Sequence, residues 1–194
     1  DGTTSRGLGD VYKRQAMEAA GLPTAKGSSE PIASAEVASA LADDIGYPVI
    51  IKAAAGGGGI GMQIVHQADE FEGALKLCQS RAKSAFGDER VFVEKYIQGA
   101  QHVEFQVLAD GKKAIHFGER FCSIQRRHQK LVEEGPWLTD EKRAEIGALV
   151  CKGAEAVGYK GLATFEFLRD ANGDFYFLEA VSYTHLTLPT TNSV

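Results

Sequence analysis

The glycine-rich loop of this chain reads Lys52-Ala53-Ala54-Ala55-Gly56-Gly57-Gly58-Gly59-Ile60-Gly61-Met62. Four consecutive glycines leave backbone N–H groups able to approach an anion closely. The glycines match the spacing GxGxxG, but that motif needs a helix after it, and residues 62–65 are typical of a strand. The lysine precedes the glycines, which is not the order of a P-loop. We therefore expect a hairpin with a flexible glycine tip and a lysine at its base, closing over phosphates. A hairpin that is merely flexible is the alternative.

On both sides of the loop, short apolar or alternating segments are interspersed with three helical patterns. Helices are predicted over residues 34–46, 69–86 and 139–158, where capping residues and apolar stripes occur together. Strands are predicted over residues 49–52, 62–65, 90–94, 102–108, 114–118, 163–168 and 175–179. This order predicts an α+β fold whose strands are mostly antiparallel.

A pair of glutamates flanks the turn sequence Asn172-Gly173, which is the strongest short hairpin signal. If these two residues form a two-residue turn, Glu166 lies directly opposite Glu179, with Cβ atoms about 4.5–5.5 Å apart. Like charges so placed repel each other unless a cation lies between them. Two carboxylates together with phosphate oxygens suit Mg²⁺, or Mn²⁺ in its place. Two solvated glutamates on a twisted hairpin are the alternative, and a bulge would move one of them to the other face.

The composition restricts the classes of function. The net charge of −5 argues against a general nucleic-acid or membrane binder. No apolar run is long enough for a transmembrane helix. Cys78, Cys122 and Cys151 form no CxxC pair, so structural zinc and a disulfide framework are not expected. These features predict a cytoplasmic protein with reduced thiols.

A basic run, Gln125-Arg126-Arg127-His128-Gln129-Lys130, admits three interpretations. The acidic chain disfavours a nucleic-acid patch, and a solvated surface is the second possibility. The third comes from resemblance, because this run and several other segments are similar to biotin carboxylase, which is a component of acetyl-CoA, propionyl-CoA and pyruvate carboxylases. The similar segments are residues 48–62, 94–97, 102–110, 123–134 and 164–168. The likeness spans residues 21–179, and the run ending in His128-Gln129-Lys130 is its most specific part.

The resemblance implies an ATP-grasp fold, with ATP held between a mobile lid and a larger subdomain. Lys52 would contact the ATP phosphates beneath Gly56, Gly57, Gly58, Gly59 and Gly61. Glu94, Lys95, Ile97 and Leu168 would meet the adenine, and His102, Gln125 and His128 would line the ribose and phosphate side. Glu166 and Glu179 would hold the magnesium. Lys130 would help to bind bicarbonate, and with His128 and Gln125 it makes up the implied catalytic set.

The implied reaction is activation of bicarbonate by ATP to carboxyphosphate, followed by carboxylation of biotin on a carrier protein. The implied partners are a biotin carboxyl carrier protein, a carboxyltransferase and a second copy of the longer protein. The family usually carries a basic residue where Ile60 stands, and an asparagine where Ala180 follows Glu179. An incomplete active site is therefore expected in this chain. Another ATP-grasp ligase, such as one making carbamoyl phosphate, and a catalytically dead nucleotide-binding module are the alternatives.

Both ends of the chain resemble translated adapter DNA. Residues 10–15 and 181–185 can be encoded by the two strands of one inverted repeat, and ordinary polar tails are the alternative. The expected organisation is an adapter-derived tail over 1–15, a lid subdomain over 16–96, part of the larger ATP-grasp subdomain over 97–180 and a second tail over 181–194.

Overall fold

The computed structural model describes residues 15–55, 61–126 and 129–183, which form two antiparallel sheets with helices packed against them. Every strand pair within the two sheets is antiparallel. The predicted α+β class is confirmed. No helix in these ranges is long and apolar enough to cross a membrane.

The smaller sheet has three strands in the order β2-β1-β3 and carries two helices. Its elements are α1 (Ala35–Ile45), β1 (Val49–Ala53), β2 (Met62–Val65), α2 (Ala68–Phe86) and β3 (Val91–Lys95). Ser34 caps α1 by accepting a hydrogen bond from the Val37 N–H at 3.3 Å. Alternate residues of β1, namely Val49 and Ile51, are buried under the helices, so Lys52 lies on the other face.

The larger sheet has five strands in the order β6-β5-β4-β7-β8. Its elements are β4 (Gln101–Asp110), β5 (Ala114–Arg126), β6 (Gln129–Glu134), α3 (Asp140–Ala156), β7 (Lys160–Arg169) and β8 (Phe175–Tyr183). One face is apolar and packs with α3 around residues such as Phe105, Phe165 and Val150. We call the opposite face the polar face, because it carries the even-numbered residues of β4 and β7, among them His102, Glu104 and Glu166.

A segment of residues 23–32 crosses from the larger sheet to the smaller one. At its start, the N–H of Phe177 in β8 donates to the Pro23 carbonyl at 2.7 Å. Further along, it pairs with β3 through bridges at Gly27 and Ile32.

The residues before this segment pack on the larger sheet. Met17 and Leu22 are buried in its core, although the predicted lid begins at residue 16. Their apolar side chains therefore join the first described residues to the larger sheet rather than to the lid.

The last strand, β8, runs past residue 180 into the range predicted as a tail. Val181 and Ser182 pair with Thr164 and Ala163, at the edge of the sheet, where Ser182 is exposed. The adapter origin of the ends stays a prediction, and residues 1–14 and 184–194 lie outside the described residues.

Candidate nucleotide and metal site

The predicted pairing of Glu166 with Glu179 is confirmed by the register of β7 and β8. The predicted two-residue turn is wrong. Asp170 instead donates its N–H to the Asp174 carbonyl at 2.9 Å, which leaves a three-residue turn ending in Gly173 at φ +92°. A bulge between Glu166 and Phe167 then shifts the register by one residue and restores the pairing. The two glutamates thus lie side by side on the polar face.

Glu166 is buried, with 7% of the residue exposed, and it contacts two basic side chains. Its Oε1 atom accepts a hydrogen bond from Lys130 Nζ at 2.6 Å. Its Oε2 atom lies 3.2 Å from His102 Nε2, which is an electrostatic contact and not an aligned hydrogen bond. Burial alone would raise the pKa of Glu166, but His102 and Lys130 lower it below its ordinary value. Glu179, by contrast, is exposed.

Sequence reasoning missed Glu104, a third carboxylate in the same row. Glu104 pairs directly with Glu166 across β4 and β7, so the polar face presents a row of three glutamates across β4, β7 and β8. Only 1% of Glu104 is exposed. It is paired with Arg120, whose Nε lies 3.0 Å from Glu104 Oε1, and with Lys130. The alternation of polar and apolar residues from His102 to Gln106 was the signal that could have placed Glu104 on this face.

Lys130 is held between two of these carboxylates, Glu104 and Glu166. Burial alone would lower the pKa of Lys130, but the contacts with both glutamates raise it above its ordinary value. The lysine is therefore cationic at neutral pH. Its ammonium has three donors, of which these contacts occupy two.

Arg120 was also missed; it lies beside Glu104 in the β4–β5 ladder and links three strands. Besides Glu104 on β4, its Nη1 donates to Gln106 Oε1 at 3.2 Å. Its Nε lies 2.8 Å from Glu133 on β6, the edge strand that carries Lys130. Arg120 thereby fixes both Glu104 and the strand of Lys130.

The polar face offers donors that suit a hard divalent cation. Ligand atoms of His102, Glu104 and Glu166 lie within 4.8 Å of one another, and Glu179 is adjacent to Glu166 in register. Carboxylate oxygens are the ligands that Mg²⁺ takes in proteins. Glu166 also contacts Lys130, so a cation bound here would share this carboxylate with the lysine.

On the smaller sheet, Lys52 forms an ion pair with Glu94, whose Oε2 lies 2.6 Å from Lys52 Nζ. Lys95 points elsewhere, because its Nζ donates to the carbonyls of Gly46 and Tyr47 at 2.8 and 3.0 Å. The Lys95 side chain thus binds the loop after α1. Only the backbone of Lys95 is then available for the predicted adenine contact. Ile97 is half-buried.

The base of the glycine loop is fixed at Gly61. Its carbonyl accepts hydrogen bonds from the Ala53 N–H and from the buried Cys78 thiol, each at 2.9 Å. Gly61 has φ +76°, and a Cβ there would lie 2.8 Å from the Ala53 Cβ, so this position needs glycine. The predicted contacts of residues 56–59 lie outside the described residues.

The remaining predicted residues are divided between the polar face and the β5–β6 hairpin. Leu168 lies opposite His102 in the β4–β7 ladder, which brings it to the polar face. Gln125 pairs with Lys130, but its side chain donates to the Cys122 carbonyl at 2.8 Å. His128 lies outside the described residues.

Comparison with known proteins finds similarity along most of the chain. The family model for the ATP-binding domain of the carbamoyl-phosphate synthase L chain matches residues 11–187. The chain belongs to this family. It is 45% identical over 196 residues to the biotin carboxylase of Allochromatium vinosum, an alignment that covers 98% of this chain and 43% of that protein.

Solved structures of biotin carboxylases are similar as well. The Campylobacter jejuni biotin carboxylase, described as a β,γ-ATP complex, gives a TM-score of 0.84 at 48% identity over 91% of this chain and 40% of that one. The biotin carboxylase domain dimer of Hydrogenobacter thermophilus 2-oxoglutarate carboxylase, in complex with MgADP, ADP and bicarbonate, gives 0.85 at 43% identity over 92% and 40%. The resemblance to biotin carboxylase and the ATP-grasp fold are thereby confirmed. The chain spans only 40% to 43% of the length of these relatives.

Proposed function

We propose that the longer protein represented by this chain is a biotin carboxylase, which uses ATP and bicarbonate to carboxylate biotin on a carrier protein. The observation that carries the proposal is Lys130 held between Glu104 and Glu166, with Glu179 beside Glu166 on the same face. This constellation combines a candidate anion site with a candidate metal site. Phosphoryl transfer to bicarbonate requires both, because its catalysis depends on positioning and charge neutralisation.

In this proposal the larger sheet serves the reacting groups. The third donor of the Lys130 ammonium binds bicarbonate, and His128 and Gln125 lie toward the transferred phosphate. Glu166 and Glu179 hold Mg²⁺ or Mn²⁺, which supplies charge neutralisation at the phosphates when it is bound. A bicarbonate oxygen then takes the γ-phosphoryl group of ATP, giving carboxyphosphate and ADP, and the carboxyl group passes to biotin with release of phosphate.

The smaller sheet serves the nucleotide. Lys52 contacts the phosphates at the base of the glycine loop of residues 56–61. The adenine meets Glu94, Lys95 and Ile97 on one side and Leu168 on the other, and the ribose lies toward His102. The presence of Leu168 and His102 as direct neighbours on the polar face supports this division.

The proposed partner proteins and cellular compartment follow from the family. The partners are a biotin carboxyl carrier protein, a carboxyltransferase and a second copy of the longer protein, as in the dimeric Hydrogenobacter domain. A reducing compartment such as the cytoplasm fits three free cysteines, Cys78, Cys122 and Cys151.

The test is the magnesium dependence of nucleotide binding and turnover. Isothermal titration of this chain with ADP should show tighter binding with Mg²⁺ than without it. Glu179→Gln should remove that difference, because it deletes a ligand charge without changing side-chain size. In the longer protein, with free biotin and limiting Mg²⁺, the same variant should lower the rate of bicarbonate-dependent ADP release by about 10- to 100-fold.

Glu72→Gln provides the matched control, since Glu72 is exposed on α2 and pairs only locally with Lys76 in the described contacts. Undiminished turnover of the Glu179→Gln protein at limiting Mg²⁺ would refute the metal assignment. ADP release that does not depend on bicarbonate would favour a different ATP-grasp ligase, and ADP binding without any turnover by the longer protein would favour a nucleotide-binding module.

A further inference from the structure

The ion pair between Lys52 and Glu94 lies on the face of the smaller sheet that turns away from its apolar core. In the β1–β3 ladder Lys52 pairs with Phe92 and Ile50 pairs with Glu94, so the two charged residues are diagonal neighbours. Their side chains are only 24% and 12% exposed. Solvent therefore screens this pair much less than an ordinary surface ion pair.

Glu94 is held in place by the segment of residues 23–32 that crosses to the larger sheet. Gly27 pairs with Glu94 through a bridge, and a Cβ at Gly27 would lie only 2.8 Å from the Glu94 Cγ. Glycine at this position thus leaves the space that the Glu94 side chain fills. Next to it, the Lys95 N–H donates to the Lys26 carbonyl at 2.7 Å and fixes the end of β3.

Lys52, in contrast, is a flexible side chain on a rigid strand. A free lysine loses rotamer freedom when it binds a phosphate, and this loss weakens binding. A buried, fixed carboxylate that holds the ammonium beforehand removes part of that cost. In the contacts of the described residues, Glu94 uses one of the three ammonium donors, which leaves donors for a phosphate.

We propose that Glu94 is a positioning residue, whose carboxylate acts on the nucleotide phosphates through Lys52, while its backbone makes the proposed contact with the adenine. This inference rests on the proposed nucleotide binding and refines the role of one residue within it. Its consequence is that the Glu94 carboxylate contributes to the affinity for ADP and not to the affinity for adenosine.

The decisive variant is Glu94→Asp, because it keeps the charge and withdraws the carboxylate by about 1.5 Å, one carbon–carbon bond. Since the net charge near the phosphates is unchanged, a change in affinity reports geometry. Ordering one flexible side chain weakens binding by about 2- to 10-fold. We expect Glu94→Asp to weaken MgADP binding by about 3- to 10-fold and adenosine binding by less than about 2-fold, both measured by isothermal titration of the full chain.

A double-mutant cycle with Lys52→Ala tests whether Glu94 acts through the lysine. In the Lys52→Ala background, Glu94→Asp should no longer change MgADP affinity. Glu89→Asp is the matched control, because Glu89 forms an exposed pair with Lys83 at 2.7 Å on the same subdomain. Thermal melts of each variant establish that it is folded before titration.

Three results would overturn the inference alone: equal weakening of ADP and adenosine, persistence of the effect without Lys52, or MgADP affinity that is unchanged or higher in Glu94→Asp. Failure of the unsubstituted chain to bind either ligand would overturn the proposed nucleotide binding and the inference with it.

Discussion

Replacing Lys130 by methionine tests the cluster on the polar face most directly. Methionine keeps much of the side-chain length and removes the charge, so Glu104 and Glu166 lose a shared cation. Removing one partner of a buried ion pair costs about 3–5 kcal/mol, because the other charge is left uncompensated. Here Arg120 still pairs with Glu104, and His102 still lies 3.2 Å from Glu166. We therefore expect a smaller loss of about 2–3 kcal/mol at pH 8.

The loss should depend on pH in a defined direction. Together with His102, Lys130 keeps the pKa of Glu166 below its ordinary value. The resulting stabilisation is complete above the pKa that Glu166 has in the unfolded chain. It is lost as pH falls through the lower pKa that Glu166 has in the folded protein. Without the lysine, less offsets the burial of Glu166, so this carboxyl protonates at a higher pH than in the unsubstituted protein. The difference in unfolding free energy between the two proteins should therefore shrink as pH falls through about 4.5.

Urea denaturation followed by circular dichroism at several pH values measures this difference. Lys112→Met serves as the matched control, because Lys112 is an exposed lysine in the turn after β4. The reasoning would be refuted if Lys130→Met destabilised the protein no more than Lys112→Met at pH 8. It would equally fail if the difference stayed constant as pH fell from about 6 to about 3.

Two further predictions concern stability away from the polar face. Burial alone would raise the pKa of Glu119, but Arg143 and two backbone N–H groups lower it to about 2. Glu119→Gln should therefore cost about 3 kcal/mol at pH 7, and urea titrations should show this cost vanishing as pH falls from about 4 toward 2. Gly61→Ala should destabilise by about 1–2 kcal/mol or more, because the residue has a positive φ and the new Cβ would lie 2.8 Å from that of Ala53. Gly73→Ala, in open space on α2, should stabilise by up to about 1 kcal/mol. Thermal melts that ranked these two alanine variants in the opposite order would contradict the assignment of Gly61 as the fixed base of the loop.

The pairing of Glu166 with Glu179 was predictable from the sequence, although a two-residue turn does not account for it. The hairpin signal at Asn172-Gly173 located the turn to within a residue. The actual turn contains three residues. A three-residue turn without a bulge would place Leu178 opposite Glu166. The bulge beside Glu166 corrects this shift. Neither feature is visible in local propensity, because bulges depend on how a strand fits the rest of its sheet.

Contacts between distant strands limited the prediction of the candidate site. Glu104, Arg120 and Lys130 lie on three different strands, and only the β4–β5–β6 register brings them together. A sequence pattern gives the face on which a residue lies but not its neighbours across the sheet. The basic run was therefore predicted through resemblance, whereas Glu104, Arg120 and the contact between Lys130 and Glu166 were found in the structure.

The same limit explains why Lys52 was predicted as a phosphate contact without its counterion. Lys52 and Glu94 are 42 residues apart, and their contact depends on β1 and β3 being neighbours in the smaller sheet. Lys130 on the larger sheet is likewise held by carboxylates from other strands. Both candidate anion-binding lysines are thus fixed by buried glutamates before any anion is bound. An enzyme that transfers phosphoryl groups by positioning gains from this arrangement, because the ordering of its cations is completed during folding.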